Sequence, residues 1–261
     1  MNQRKNEFEK AEILYKRSLN LSEKYFGETS VSVAHSHNNL GSLYYDLGHF
    51  LEAENEFRIS LKIFIKHYGE KNVSTVNSYI SLASSLFAQN KFNKAERINE
   101  KVLKLSYDVY GDNNTGTATV LNNIGQMYLI KKQYELAEKH FKSALNIWNN
   151  KFSCNHTRIA VAKQNLGVCY REQQKFDDAI ETLLQSIYIY KNIYKNTNHS
   201  SLSSVYSALG KTYALMGKYD DADKHYQKAL SIRRKIFEPN NDKIKLVEER
   251  IEELERLKKQ N

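Results

Sequence analysis

The sequence predicts an all-α fold, a solenoid of stacked antiparallel helix pairs with a capping helix at its C-terminal end, and three observations predict it. The small residue of a Leu-Gly-type dipeptide recurs at Gly41, Ala83, Gly125, Gly167 and Gly210, at spacings of 42, 42, 42 and 43 residues. A period of this length marks an array of one supersecondary unit. A second ladder keeps the same register: Ala11, Ala53, Ala95, Ala137, Ala179 and Ala222 each follow an aromatic by three residues, at Phe8, Phe50, Phe92, Tyr134, Phe176 and Tyr219. Finally, one Pro and ten Gly in 261 residues are too few for the turns of an all-β chain.

The elements follow in chain order. Residues 5–30 form a partial first unit, a lone second helix of roughly Asn6 to Lys24 without the first helix that should cover it. Stacked repeats bury their faces on neighbours, so this start leads us to expect either a fragment of a longer chain or self-association through the uncovered helix. Five full units begin near residues 31, 73, 115, 157 and 199 and complete an array over 1–240. Within a unit the apolar residues run twice with helical period, as at Leu121, Ile124, Gly125 and Tyr128 and again at Tyr134, Ala137, Phe141, Ala144 and Leu145, which makes each unit a helical hairpin. Gly48, Asn90 and Gly217 stand at the turn between the two helices, where a positive φ is useful. Asp177, Asp178, Asp220 and Asp221 open second helices, where the dipole favours negative charge, and their recurrence there reads as capping rather than as a metal site. The extra residue of the last spacing is expected in the loop Lys195 to Ser201. Residues 241–261 form the terminal helix, with Asp242 as its expected cap and Ile244, Val247, Ile251, Leu254 and Leu257 on its apolar side; a coiled-coil strand is the alternative.

Leu40-Gly41-x-x-Tyr44 with Gly48-x-Phe50-x-x-Ala53, repeated as Leu166-Gly167-x-x-Tyr170 and as Leu209-Gly210-x-x-Tyr213-Ala214-x-x-Gly217-x-Tyr219-x-x-Ala222, resembles the tetratricopeptide repeat. With Asn38-Asn39-Leu40-Gly41 and Asn122-Asn123-Ile124-Gly125 early in the first helix and Tyr68-Gly69 and Tyr110-Gly111 closing the second, the longer 42-residue unit is similar to the arrays of kinesin light chain and nephrocystin. Kinesin light chains carry an Asp-His-Pro step between units; here Asn155-His156-Thr157 and Asn198-His199-Ser200 keep the His without the Pro. The resemblance implies a superhelix of about eleven array helices plus the terminal one, with the first helices lining a concave groove.

Several function classes are disfavoured. Cys154 and Cys169 have no second pair, so they make neither a disulfide framework nor a zinc signature and point to a reducing, cytoplasmic setting. Met1 to Glu7 is followed by no apolar stretch, and nothing approaches the roughly 18 apolar residues of a membrane span. His35 and His37 are two apart on a helix and face different ways. There is no phosphate loop, nucleophile elbow or His-Glu-x-x-His segment. We therefore expect a non-catalytic chain without metal or cofactor. The net charge is +9, but the longest basic run is Arg233-Arg234-Lys235 and no basic patch interleaved with aromatics recurs, which argues against nucleic acid and leaves an RNA-binding array as the third reading. An acidic protein or peptide partner suits the charge better.

The candidate site is the stripe at i, i+4, i+7 and i+11 of each first helix. It reads His35, Asn39, Ser42; Asn77, Ser81, Ser84; Thr119, Asn123, Gln126; Asn165; and Lys211, with Ser204 and apolar or acidic residues at the other positions. A carboxamide both donates and accepts, so Asn39, Asn123 and Asn165 could each bind one peptide unit of an extended ligand; in similar arrays the matching asparagine clamps the peptide backbone. His35, Asn77, Ser84, Gln126 and Lys211 would supply selectivity. Only Lys211 brings a positive charge, so no carboxylate clamp for a chaperone tail is expected. The reading from another class is a structural spacer or oligomer scaffold with no groove ligand; the chain holds 26 Asn, so recurrence at one position, not abundance, carries the peptide reading.

Overall fold

The structure, a computed structural model, describes residues 2–195 and 198–260, with side chains from residue 10 to 259. Residues 196 and 197 of the loop expected to hold the insertion, and the Phe8 side chain, fall outside these. Among the described residues there are twelve helices and no strand: α1 (Asn2–Phe26), α2 (Val31–Leu47), α3 (Phe50–Tyr68), α4 (Val73–Ala88), α5 (Phe92–Tyr110), α6 (Thr115–Ile130), α7 (Tyr134–Lys151), α8 (Thr157–Glu172), α9 (Phe176–Ile193), α10 (Ser200–Leu215), α11 (Tyr219–Ile236) and α12 (Asp242–Gln260). The chain forms two compact units, residues 1–127 and 128–261.

In the first unit α1 packs on α2, α2 on α3, α3 on α4 and α4 on α5. Val33 and Ala34 of α2 meet Ile63 and Phe64 of α3, with Leu19 and Val31 against them. The ladder glycine Gly41 stands where helices approach closely: a Cβ added there would lie 2.8 Å from the Phe57 ring. In the second unit α7 to α12 stack in the same successive manner, and a Cβ at Gly210 would lie 2.6 Å from the Tyr226 ring. Along α1 the apolar residues Ile13, Leu14, Tyr25 and Phe26 are all more than 60% exposed.

The turns carry more information than their residue types announced. Gly48, Asn90 and Gly217 take positive φ as expected, but Lys132 and Gln174 do so too, at φ 60° and 61°. Neither residue favours that conformation; it is held because the amides beyond it close the helix end, Gln133 N–H on the Tyr128 carbonyl and Lys175 N–H on the Tyr170 carbonyl, 2.8 and 2.9 Å.

Helix starts also differ from expectation. Ser30, Asn72 and Asn114 cap first helices with short side chains. His156 and His199 do the same with imidazole: each Nδ1 accepts a backbone N–H two residues on, at 3.2 Å. Their rings stack on Phe152 and Tyr194, at 3.7 and 3.8 Å between centroids. These histidines are caps clamped to the end of the preceding second helix. The cap of α12 is Asn241, whose Oδ1 accepts from Lys243 N–H at 3.0 Å, rather than Asp242, which is the first helical residue. Asp177, Asp178, Asp220 and Asp221 lie in first turns as expected, where the dipole favours their charge, while the cap positions Lys175 and Lys218 make no side-chain capping bond.

A buried and a half-buried carboxylate tie successive pairs together. Glu54 of α3 accepts from Arg58, from Gln89 and from Lys91, at 2.7 to 2.9 Å. Glu138 of α7 does the same with Lys142, Gln173 and Lys175. Burial opposes ionisation at both, but the hydrogen bonds outweigh it and hold each carboxyl at about 2.

Candidate functional site

In the first unit the stripe residues sit on α2, α4 and α6. His35, Asn39 and Ser42 are exposed, His35 with its ring edge-on to Phe64 at 4.9 Å. The neighbouring His37 is buried and bonded to Glu56 at 2.5 Å, so the two histidines do face apart. Asn77 is exposed and its Oδ1 accepts from the Tyr110 hydroxyl at 2.8 Å; burial pushes that phenol up, which keeps it a donor. Ser42, Ser84 and Thr119 each turn the hydroxyl back onto their own helix, donating to the carbonyl four residues earlier at 2.9 Å. Toward a ligand these hydroxyls act as acceptors. Ser81 is half-buried on α4.

Ser84, Asn123 and Gln126 come together around a pocket of about 80 Å³, walled by Tyr45, Ala83 and Phe87 and floored by Asn99. Asn99 belongs to α5, a second helix, and was not among the expected site residues. It is 3% exposed, its Nδ2 donates to Met127 Sδ at 2.9 Å, and its Oδ1 has no partner. The signal was present in the repeat: four residues after each ladder alanine stand Phe57, Phe141, Leu183 and Tyr226, and only here Asn99. A short polar side chain where the array elsewhere places a bulky apolar one leaves both a void and an unsatisfied carbonyl oxygen. Burial, with Asp46 adjacent, pushes the Tyr45 phenol up, so its hydroxyl is neutral at the pocket wall.

In the second unit Asn165 is half-buried on α8 and lines a cavity with residues of α10, α11 and α12. Lys211 is exposed on α10, its Nζ 4.0 Å from Glu172 Oε1, an oxygen that Arg171 also holds at 2.6 Å. Arg250 of α12 shares a cavity of about 190 Å³ with Lys211, a second cation that the stripe alone did not reveal. Cys154 is exposed and Cys169 buried, the latter donating to the Tyr134 carbonyl at 3.2 Å, with burial raising its thiol pKa. Among the described residues no group of three or more His, Cys, Asp or Glu is placed to hold a metal, and no helix is long and apolar enough to cross a membrane.

A sequence profile of the tetratricopeptide repeat matches residues 1–66, 74–150, 116–192 and 164–235. The chain belongs to the tetratricopeptide repeat family. Among solved structures, this tetratricopeptide repeat chain is similar to BtubC (BKLC) from P. vanneervenii, at 22% identity and a TM-score of 0.71 over 90% of this chain and 94% of the other. It is also similar to a kinesin light chain-type protein of Podosopora anserina with nearly identical TPR-like repeats, at 18% identity and 0.63 over 79% and 97%. A Rap protein in complex with competence and sporulation factor aligns at 17% identity and 0.66 over 99% and 73%. At these identities the likeness is one of fold. No curated protein matches the sequence.

Proposed function

We propose that this tetratricopeptide repeat chain is a non-catalytic adaptor that holds an extended peptide, or a helix of a partner protein, along the stripe of its first helices. Asn39, Asn123 and Asn165 act as backbone clamps, and His35, Asn77, Ser84, Gln126 and Lys211 supply selectivity. One observation carries the reading: the first-unit pocket gathers three stripe residues around the unpartnered Oδ1 of Asn99. A buried carbonyl without a partner costs about 1–3 kcal/mol, and a ligand N–H or hydroxyl entering the pocket would recover it. A cargo or assembly role of kinesin light chain type is the finer version and rests on the form of the repeat. The weak claim of Lys211, whose charge Glu172 already faces, speaks against terminal-carboxylate ligands; measurable affinity for such a peptide, lost on Lys211→Ala, would overturn that part.

The test is affinity capture from a matched lysate, with nuclease treatment and a salt series. The natural chain is compared with an Asn39→Ala, Asn123→Ala, Asn165→Ala variant of equal helicity and melting temperature. A protein set lost only from the variant supports the groove. Identical capture by both sinks it in favour of the spacer reading, and capture that vanishes with nuclease or steeply with salt favours nucleic acid. A second contact, self-association through α1, is favoured by its exposed Ile13, Leu14, Tyr25 and Phe26.

A further inference from the structure

Eleven residues after each ladder alanine of the five full units the chain carries Phe64, Ser106, Trp148, Tyr190 and Arg233. All five are buried, yet only the last is charged. The column that begins each first helix's packed face changes in step: Ala34, Val76, Ala118 and Ala160 give way to Ser203. In the last unit an apolar contact has thus become a guanidinium–hydroxyl bond, Arg233 Nε donating to Ser203 Oγ at 2.7 Å. Arg233 Nη1 donates to the Lys243 carbonyl. Both acceptors are neutral. Among the described residues no carboxylate pairs with Arg233, although it is 8% exposed, and the charge that acts on it is that of another cation, Arg250.

A tie between α11 and α12 would need only a neutral donor, and a buried cation without a counter-charge is costly. The surroundings say what would offset it. Arg233 borders a cavity of about 360 Å³, with Gln164, Ser200, Phe237 and Lys243 also on its wall and no Asp or Glu there. The Lys243 ammonium stands 5.0 Å over the Phe237 ring. Two cations face one space, and among the described residues the Arg233 donors are bonded through Nε to Ser203 and through Nη1 to Lys243, with no acceptor shown for Nη2. The remaining guanidinium N–H groups beside an ammonium and serine hydroxyls suit a tetrahedral, doubly charged oxyanion better than a single carboxylate. We propose that this cavity binds a phosphoryl-type oxyanion, either free phosphate or the phosphorylated side chain of a bound peptide.

The site meets the proposed groove only at Asn165, which lines the same cavity; it rests on Arg233 and Lys243, not on the groove reading. Calorimetric titration of the full chain with sodium phosphate, against sodium chloride at equal ionic strength, should show saturable binding. Arg233→Met, which keeps length and removes charge, should abolish it. Should that variant fold poorly, Lys243→Ala, a change at an exposed side chain, should still weaken binding about tenfold, the size of one charge-assisted contact. Lys235→Ala, an exposed cation away from the cavity, should bind as the natural chain does. A phosphoserine peptide library screened beside its dephosphorylated form separates the sources. Enrichment that Lys243→Ala removes assigns a phosphorylated side chain, and phosphate binding without enrichment assigns the free ion. No phosphate-specific heat, or equal binding by Arg233→Met and Lys243→Ala, overturns the proposal. Asn39→Ala with Asn123→Ala leaves this cavity untouched, so lost protein capture with intact phosphate binding, or the reverse, tells the two readings apart.

Discussion

Asn99 and Glu54 show how single residues carry opposite kinds of consequence. Asn99 occupies a position that the other second helices fill with Phe, Leu or Tyr, and it leaves a pocket and an orphan oxygen. Asn99→Leu should therefore raise stability by about 1–2 kcal/mol in chemical denaturation, because it removes the unsatisfied group and fills space. The same change should weaken peptide capture; a loss of stability would mean that the amide is satisfied in solution. Glu54 and Glu138 have folded pKa values near 2 against an ordinary 4.5. The unfolded chain binds protons first as pH falls, so the stability these groups give is complete above about pH 4.5 and is lost as pH drops toward 2. Each depression corresponds to on the order of 3 kcal/mol. Glu54→Gln should lower the melting temperature at pH 7 and flatten the acid limb of the stability curve; an unchanged limb would refute the assignment. Gly41→Ala, with Phe57 at 2.8 Å from the new Cβ, should cost about 1–3 kcal/mol.

At the scale of elements, the inter-unit step is where the repeat's sequence logic changes hands. First helices begin with Ser30, Asn72 and Asn114 in three units and with His156 and His199 in the next two. Imidazole serves because the aromatic that ends the preceding helix gives it a face to lie on. His156→Ala should lose about 1 kcal/mol and speed amide exchange at the start of α8. His156→Asn should recover the cap but not the stacking, and so part of the loss. If Asn restores everything, the ring contact contributes nothing. The helix pairs and their turns were legible in the sequence because burial imposes a 3.6-residue period on each helix and a 42-residue period on the unit. The left-handed turns at Lys132 and Gln174 were not, since what fixes them is a pair of closing backbone hydrogen bonds rather than the residue type.

For the whole molecule, α1 presents its apolar side chains to solvent. Sedimentation across a concentration series should reveal association that Leu14→Glu with Tyr25→Glu abolishes; a monomer at every concentration would discard this contact. The net charge of +9 should accelerate encounter with acidic partners and make that rate, more than the dissociation rate, sensitive to salt.

What the sequence alone determined is the repeat: its length, its two helices, its small-residue contacts and the family to which they belong. These follow from local propensity and from a burial pattern written five times over, so each copy checks the others. The stripe of candidate site residues was legible in the same way, because facing positions on a helix are a matter of spacing. Tertiary structure decided where the repeat's departures matter. Asn99 and Arg233 stand out in their columns, but only the packing around them makes one an unsatisfied carbonyl at a pocket floor and the other an unpaired cation at a cavity wall. A side chain's identity travels with the sequence; whether its charge or hydrogen bond is answered depends on which distant residues are brought against it.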